Sequence, residues 1–284
     1  MYTRRDFAKI AMAAAPAASL LAKPNSKVHG VMIGVQSYSF RDRGIDEALK
    51  AMTDIGFSYT ELYQGHIEPP KGSSPEDVKK WRNSPDTLNQ MKEVKKKFDA
   101  AGVKIYALNY SFGPQHTDAE IELGMEMAKT LGTRYITASS KVSQAKRIND
   151  LAAKHDVLVA MHGHDNVKNP DEFSTIDRFE KAMEGNPNIK INLDIGHFVA
   201  AGGDPVTYLE KMHKDILTLH IKDRKKDHGA NMPFGQGDTP IKEVLQELKT
   251  KRYAIPANIE YEYKGADTVE EVRKCFEYCK AALA

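Results

Sequence analysis

The chain has 284 residues, of which 41% are hydrophobic, and its formal net charge is +2 at pH 7. A chain of this length can bury a full hydrophobic core, either as one large α/β barrel or as two small domains. Charged residues of both signs make up 28% of the chain, which is typical of an ordinary polar surface, and no stripe or tail is rich in lysine and arginine. This composition disfavours nucleic acid as a partner.

The first residues have the pattern of an export signal. The adjacent Arg4 and Arg5, followed by Phe7, precede an alanine-rich apolar stretch over residues 10–21. This order is typical of a secretory signal, and the paired arginines resemble the bacterial twin-arginine signal. The stretch is too short for a membrane span. We expect residues 1–23 to direct export to the periplasm or medium through the twin-arginine machinery, without a stable membrane anchor; the alternative is an amphipathic helix with two chance arginines.

Strand-like and helix-like segments alternate along the rest of the chain. Short apolar runs indicate buried parallel strands, and amphipathic segments that end near glycine indicate helices between them. The predicted strands cover residues 31–40, 58–63, 103–110, 134–138, 157–162, 189–194, 216–221 and 255–261. The predicted helices cover residues 45–56, 87–101, 118–131, 143–154, 171–183, 205–213, 240–250 and 268–283.

Strict alternation of strands and helices predicts a parallel sheet with right-handed crossovers. A single (β/α)₈ TIM barrel, an α/β fold, takes about 250 residues, and residues 28–284 supply a chain of that size. The alternative is an open doubly wound sheet, whose usual Gly-x-Gly-x-x-Gly signature is missing after the first strand. Two long loops, 64–86 and 224–239, follow predicted strands and are expected at the active face, as lids or binding loops.

Acidic and imidazole side chains stand at the carboxyl ends of several predicted strands. Asp194 ends one predicted strand and is followed by His197, while His220 and Glu260 lie next to the last residue of the two strands after it. Taken singly, each has a plain structural explanation as a rim residue, a hydrogen-bonded core residue or a turn former. Together, strands of a barrel deliver them to one rim, where unpaired charges would repel and lose hydration. A divalent cation resolves both problems, so the set predicts a metal site.

Further polar side chains extend this candidate site. His162 and His164 share parity in the segment MHGHD, so both can point to the same side of a strand that continues that far. Glu61 lies in the second predicted strand, and Lys222 and Arg224 follow the seventh. All five are expected at the rim where the predicted metal site lies.

Five short segments carry a resemblance to a known family: MHGHD, LDIGHFVAAGGDP, LHIKDR, FGQGD and IEYE. With them the chain resembles the xylose isomerase-like barrel superfamily, in the branch called sugar phosphate isomerases/epimerases. The resemblance implies one divalent ion at the barrel mouth, commonly manganese, magnesium, cobalt or zinc. It implies that Asp194, His220 and Glu260 bind this ion, that His197 contacts substrate oxygens, and that Arg224 lies near the substrate.

One position departs from the family pattern. Epimerases of the superfamily usually supply a metal-binding glutamate from the fourth strand, but here residues 136–140 contain no carboxylate. In relatives with a histidine-rich fifth strand, a histidine can take that place. We therefore expect His164 as the fourth ligand, with His162 as the alternative. His162 and Lys222 are otherwise expected to bind substrate.

The chemistry that the resemblance implies is enolisation of a sugar. A base removes the proton beside a carbonyl group while a Lewis acid stabilises the enediolate. The candidate bases are Glu260, His164 and Glu61, in that order. Return of the proton to the other face gives epimerisation, and return to the adjacent carbon gives isomerisation. Loss of a β-leaving group gives a lyase, so the residues alone leave the reaction open.

Several functions are consistent with these features. The leading hypothesis is a divalent-metal-dependent sugar isomerase or epimerase acting on a non-phosphorylated ketose or oxidised sugar, since phosphorylated sugars are mainly cytosolic. The runner-up is a lyase that cleaves a 3-keto-glycoside by β-elimination, favoured by export and by the missing glutamate. A non-catalytic periplasmic sugar-binding protein is disfavoured because binding alone needs no Lewis acid. A DNA repair nuclease is disfavoured by the lack of a basic groove. The oligomeric state, a homo-oligomer included, stays open.

Overall fold

Eight parallel strands form a closed barrel in the computed structural model, which describes residues 23–70 and 72–284. The strands are β1 Val31–Gln36, β2 Tyr59–Tyr63, β3 Lys104–Asn109, β4 Tyr135–Ala138, β5 Leu158–His162, β6 Ile189–Asp194, β7 Ile216–Ile221 and β8 Ala257–Ile259. They pair in chain order, and β1 pairs in parallel with both β8 and β2, which closes the ring. The prediction of a single (β/α)₈ barrel is confirmed.

The described residues contain ten α-helices. They are α1 Ile45–Ile55, α2 Pro75–Arg82, α3 Asp86–Ala101, α4 Asp118–Thr130, α5 Ala145–His155, α6 Ile176–Met183, α7 Ile195–Ala200, α8 Pro205–Met212, α9 Ile241–Lys251 and α10 Thr268–Leu283. Eight of them correspond to the predicted helices. None of these described helices is long and apolar enough to cross a membrane. The predicted export signal lies outside the described residues except for Lys23.

Two helices, α2 and α7, were not predicted from the sequence. Helix α2 buries none of its residues, so the apolar periodicity that reveals an amphipathic helix is missing. Its start is set instead by Ser74, whose hydroxyl accepts a hydrogen bond from the Asp77 amide at 3.0 Å. Helix α7 has only six residues and follows β6 directly, because the Asp194 carboxylate caps its amino terminus. Capping thus places one candidate metal ligand at a strand-to-helix junction.

Several boundaries differ from the prediction. The first strand ends at Gln36, because a 3₁₀ turn over Ser37–Phe40 takes the place of its predicted end. The last strand is short, Ala257–Ile259, so Glu260 lies one residue beyond it. An additional two-residue strand, Lys27–Val28, pairs antiparallel with β1 and was not predicted. Strands β6 and β7 have the predicted bounds, so Asp194 and His220 lie at the carboxyl ends of their strands as expected.

Candidate metal centre

The carboxyl ends of the strands surround a cavity of about 470 Å³. Four histidines line it: His162, His164, His197 and His220. The side chains of Lys222, Glu260 and Glu262 line the same part of the wall. The predicted rim thus exists as a concave site, which is where barrels of this kind carry their functional groups.

Four side chains at this rim form a compact buried group, here called the four-residue cluster: His162, Asp194, His220 and Glu260. One nitrogen or oxygen atom from each residue lies within 4.8 Å of the corresponding atoms of the other three. Parallel pairing explains the convergence, because the register of β6 and β7 sets Asp194 opposite His220. His162 ends β5 and Glu260 follows β8, so four successive strands contribute one residue each.

Each of the four residues in the cluster contributes one buried atom that has no hydrogen-bond partner. The four atoms are His162 Nε2, Asp194 Oδ2, His220 Nδ1 and Glu260 Oε2. Leaving a buried polar atom unsatisfied costs about 1–3 kcal/mol, so four such atoms at one point need an explanation. Imidazole nitrogens and carboxylate oxygens are the ligands that zinc, manganese and cobalt prefer. The donor set therefore fits a divalent cation.

Neighbouring groups aim two of these ligand atoms into the cluster. The His197 backbone amide donates to Asp194 Oδ1 at 2.7 Å, which leaves Oδ2 for the cluster. His220 Nε2 lies 2.9 Å from Glu61 Oε1, which directs Nδ1 toward the cluster. Carboxylate–histidine pairs of this kind fix the tautomer and orientation of metal-binding histidines.

Glu61 lies next to the cluster, is fully buried, and is not itself among the residues that line the cavity. Its Oε1 also accepts hydrogen bonds from Gln36 Nε2 at 2.7 Å and Thr137 Oγ1 at 2.6 Å. These partners belong to strands on different sides of the ring, so the network crosses the barrel interior. Glu61 is thus not placed to take a proton from a molecule in the cavity, contrary to our expectation. Its contacts orient His220.

His164 lines the cavity but does not belong to the four-residue cluster, which contains His162 instead. The parity argument fails because β5 ends at His162 and the backbone then turns, with the His164 amide donating to the Phe173 carbonyl oxygen at 2.8 Å. His164 Nδ1 lies 2.9 Å from Oε1 of Glu172, a residue that the sequence did not reveal. His164 and Lys141 together lower the pKa of Glu172 to about 2, although partial burial opposes them.

Lys222 places a positive charge beside the cluster. Its Nζ lies 3.0 Å from Asp194 Oδ2, 2.8 Å from Glu260 Oε2 and 2.6 Å from Glu262 Oε2. The first two distances are those of ion pairs, but the directions do not make hydrogen bonds to these cluster oxygens. Burial opposes the charge, yet the three carboxylates raise the pKa of Lys222 above its ordinary value. The ammonium group is therefore already compensated by carboxylates.

The two histidines of the cluster differ in protonation. Burial lowers the pKa of His162 to about 3, so its ring is neutral near pH 7. Burial also acts on His220, but Glu61 and Glu260 outweigh it and raise the pKa of His220 well above its ordinary value. A cation that binds His220 Nδ1 must therefore displace a proton.

Arg224 supports His197 from behind and is not among the residues that line the cavity. Its Nη1 lies 2.6 Å from His197 Nδ1 and 3.1 Å from Asp165 Oδ1, and its Nη2 donates to the Gly229 carbonyl oxygen at 2.7 Å. His197 itself faces the cavity and lies 3.2 Å, through Nε2, from Lys222 Nζ. The structure thus places Arg224 behind His197 rather than on the cavity wall, whereas we expected it to lie near the substrate.

The carboxylate of Asp223 binds several backbone amides of the long loop 224–239. Its two oxygens accept hydrogen bonds from the amides of Gly235 at 2.8 Å, Gly237 at 2.9 Å and Thr239 at 3.2 Å. A Cβ atom on Gly237 would meet Asp223 Oδ1 at 1.9 Å, so this approach requires glycine. The segments LHIKDR and FGQGD thus act as one structural unit beside the cluster.

The missing carboxylate after β4 is replaced by a hydroxyl group. Ser139 lines the cavity, and its Oγ lies 3.4 Å from His162 Nδ1. The aromatic rings of Tyr38 and Tyr63 line the same side, packed edge to face with centroids 5.0 Å apart. Sequence reasoning missed these residues because uncharged side chains at or just after the ends of strands carry no distinctive pattern.

Comparison with known proteins places the chain in a family of TIM barrels. The sequence pattern of the family described as Xylose isomerase-like TIM barrel matches residues 49–281. The L-ribulose-5-phosphate 3-epimerase UlaE of Escherichia coli is 31% identical over 100 residues, which are 35% of this chain and 35% of that protein. The chain thus matches about a third of the length of this curated relative.

Two solved structures share the fold. The 3-keto-D-glucoside 4-epimerase YcjR of Escherichia coli is 14% identical with a TM-score of 0.67, over 88% of this chain and 99% of that chain. The IolI protein with a bound zinc atom is 18% identical with a TM-score of 0.65, over 88% of this chain and 97% of that chain. At these identities the likeness supports the barrel fold alone.

Proposed function

This chain belongs to the xylose isomerase-like TIM barrel family, and from that premise we propose that it is a divalent-metal-dependent isomerase or epimerase of a non-phosphorylated ketose or oxidised sugar. The observation that carries the proposal is the four-residue cluster, with four buried atoms that lack hydrogen-bond partners and converge within 4.8 Å. Among its relatives, UlaE is named as an epimerase of a sugar phosphate and YcjR as an epimerase of a keto-glucoside.

In this proposal the four-residue cluster holds the cation, with Glu61 and the His197 amide orienting two of its ligands. When bound, a divalent ion supplies a Lewis acid that polarises a carbonyl group and stabilises the negative charge of an enediolate. The neutral ring of His162 and the ionised carboxylates of Asp194 and Glu260 are in the protonation states that ligands require. Mixed nitrogen and oxygen donors suit zinc, manganese or cobalt better than magnesium.

His164 is the base that the geometry favours. Its ring lines the cavity, and with Nδ1 held by Glu172, Nε2 is the nitrogen left to accept a proton from the substrate. Glu260, our first candidate from the sequence, has its Oε2 within the cluster and 2.8 Å from Lys222 Nζ. Burial opposes this, but Lys222 and His220 hold the pKa of Glu260 below its ordinary value. A carboxylate so strongly stabilised is a weak base.

The charges of the cavity wall favour an uncharged sugar. Lys222 is the one lysine or arginine among the cavity-lining residues that the structure describes, and three carboxylates already compensate it. A phosphate group needs unpaired cations or several free amides to replace its hydration. An uncharged substrate also agrees with export to the periplasm through the twin-arginine route, which the adjacent Arg4 and Arg5 support and which we include in the proposal.

A lyase acting on a 3-keto-glycoside is the second candidate, and Ser139 is the observation that favours it. Epimerisation requires a second group to return a proton to the opposite face. Ser139 occupies the wall after β4, where the family's epimerases usually carry a glutamate, and its hydroxyl is a poor proton donor at neutral pH. Elimination of a β-leaving group needs only the first proton removal.

Exchange of the α-proton with D₂O tests the shared step. The metal-stripped protein is reloaded with zinc, manganese, cobalt or magnesium and incubated with free ketoses, 3-keto-glycosides and ribulose 5-phosphate. We expect metal-dependent deuterium uptake into an uncharged sugar, at least 100-fold slower in Glu260→Gln and little changed in Glu270→Gln, which alters an exposed carboxylate on α10 away from the cavity.

The products decide between the two candidates. Interconversion of ketoses supports the isomerase or epimerase, whereas release of an aglycone without interconversion supports the lyase. Preference for ribulose 5-phosphate would contradict an uncharged substrate. Exchange that is independent of added metal, or absent from every sugar, would contradict enolisation at this centre.

A further inference from the structure

The pair formed by His164 and Glu172 lies outside the four-residue cluster and has its own anchor. His164 Nδ1 and Glu172 Oε1 are 2.9 Å apart, and Lys141 Nζ donates to Glu172 Oε2 at 2.8 Å. The Glu172 side chain is only 14% exposed, whereas the imidazole is 33% exposed, on the cavity side. The carboxylate thus stands behind the ring with both of its oxygens occupied.

The backbone around Glu172 fixes the direction of its carboxylate. The His164 amide donates to the Phe173 carbonyl oxygen at 2.8 Å, which ties the two ends of this short loop together. Arg178 reaches back from α6 and donates to the carbonyl oxygens of Glu172 at 3.2 Å, Asn169 at 2.8 Å and Val167 at 2.9 Å. A loop bound at so many points presents one carboxylate to one ring nitrogen.

This arrangement determines which nitrogen of the neutral ring carries the proton. An ionised carboxylate can only accept a hydrogen bond, so His164 Nδ1 must be the donor. The lone pair then resides on Nε2, for which the described residues provide no hydrogen-bond partner. A histidine whose second nitrogen is held by a carboxylate is the arrangement by which enzymes orient a base and stabilise the cation it becomes.

We propose that Glu172 is a positioning residue that fixes the Nδ1–H tautomer of His164 and so directs the Nε2 lone pair into the cavity for proton transfer. The choice of His164 as the base rests on the proposed function. In the step, the proton moves from the α-carbon of the sugar to His164 Nε2, and the C–H electron pair forms the carbon–carbon double bond of the enediolate while the π electrons of the carbonyl group move to its oxygen. The imidazolium keeps the hydrogen bond from Nδ1–H to Glu172 and returns the proton from Nε2 to the sugar.

The tautomer is measured directly, without substrate or metal, by ¹⁵N NMR of the imidazole nitrogens at a fixed pH at which the ring is neutral. We expect the wild-type protein to show Nδ1 protonated and Nε2 bare at His164. Glu172→Ala removes the acceptor, so both tautomers become populated. Glu172→Gln retains a carbonyl oxygen that accepts from Nδ1, so the tautomer persists. Lys141→Met is the matched control, because it removes the other partner of the carboxylate and leaves the tautomer unchanged.

Steady-state kinetics then separate positioning from loop structure. We expect kcat to fall on the order of 10²-fold in Glu172→Ala, the size of a general-base contribution, with KM and the metal Kd within about twofold of wild type. Lys141→Met is expected to stay within about threefold of wild type in all three constants. Thermal unfolding of each variant identifies loss of fold, and Glu172→Met, which removes the acceptor but keeps the length of the side chain, provides the measurement if the alanine variant unfolds.

Two outcomes overturn the inference. One is an unchanged His164 tautomer in Glu172→Ala. The other is a shifted tautomer with an unchanged kcat. If no sugar is turned over, the proposed function fails by the exchange experiment, while the NMR measurement still decides whether Glu172 sets the tautomer.

Discussion

The two halves of the barrel mouth differ in charge. The wall that follows β1 to β4 is uncharged and consists of Gln36, Tyr38, Tyr63, Gln64, Asn109, Ser111 and Ser139. The wall that follows β5 to β8 carries the ionisable groups, namely His162, His164, His197, His220, Lys222, Glu260 and Glu262. The charged half has residues that can hold a metal ion as Lewis acid and transfer protons. The uncharged half offers hydrogen bonds and aromatic faces to a neutral sugar.

The halves also differ in how completely their polar groups are satisfied. In the uncharged half, Gln64 Oε1 accepts from the Ser111 amide at 2.8 Å, and Asn109 Nδ2 donates to Thr137 Oγ1 at 3.0 Å. In the charged half, four buried ligand atoms have no hydrogen-bond partner. The polar groups named in the uncharged wall thus have partners within the protein, whereas the charged wall leaves four buried ligand atoms for a further group.

Replacement of a residue of the four-residue cluster should weaken metal binding more than any other change in the barrel mouth. Asp194→Asn replaces a carboxylate oxygen of the cluster by an uncharged amide, so we expect the metal Kd to rise by more than about 100-fold and activity to be lost. Isothermal titration with zinc and manganese measures the change. Glu262→Gln, outside the cluster, is the control, and equal losses in both variants would contradict the assignment of ligands.

Replacement of Glu61, which lies next to the cluster, should have the second largest effect on metal binding. Glu61→Gln keeps the shape of the side chain but removes the charge that orients His220, and outer carboxylates of this kind contribute about 10- to 100-fold to metal affinity. Metal titration measures this loss. Because the same oxygen accepts from Gln36 and Thr137, we also expect urea denaturation to show about 1–3 kcal/mol lower stability. Unchanged metal affinity would show that Glu61 is structural only.

Metal affinity should increase with pH through His220. Its pKa in the folded protein is raised, so below that pKa a binding cation must displace one proton. The metal Kd should then fall about tenfold for each unit of rising pH, and become constant above the raised pKa. Titrations in buffers of different ionisation enthalpy count the released protons. Zero proton release at neutral pH would contradict a protonated His220.

Removal of Lys222 should strengthen metal binding. Its ammonium group lies 3.0 Å and 2.8 Å from two cluster oxygens, so it competes with a cation for the same negative charge. In Lys222→Met we expect roughly tenfold tighter metal binding, about 1.4 kcal/mol. The metal-free variant should unfold at lower urea concentration, because buried carboxylates lose their counter-ion. Weaker metal binding in this variant would show that Lys222 supports the site.

A substitution in the uncharged wall should have the smallest effect on activity and metal binding. Tyr38→Ala removes an aromatic face that lines the cavity, together with its edge-to-face contact to Tyr63. We expect KM for the sugar to rise about three- to tenfold, with kcat and the metal Kd nearly unchanged. Steady-state kinetics and metal titration check this separation. A loss of metal affinity in Tyr38→Ala would break the division between the two halves.

Much of this architecture follows from local patterns. Apolar runs gave strands β6 and β7 their bounds, and parallel strands necessarily bring their carboxyl ends to one rim. Asp194, His220 and Glu260 could therefore be grouped from the sequence, and the structure brings them together. Helix α2 could not be found in this way, because a helix that buries no residue leaves no apolar period.

The barrel and the rim that carries the charged side chains could be predicted from the chain alone, because hydrophobic periodicity and strand order are local properties. The tertiary structure decided which histidine joins the cluster, since His162 ends β5 and the turn after it carries His164 to a different neighbour. It also decided the roles of Glu61 and Glu172, whose partners are 159 and 8 residues away along the chain. Contacts of this kind depend on loop geometry and on packing across the barrel, and no spacing of residues records them.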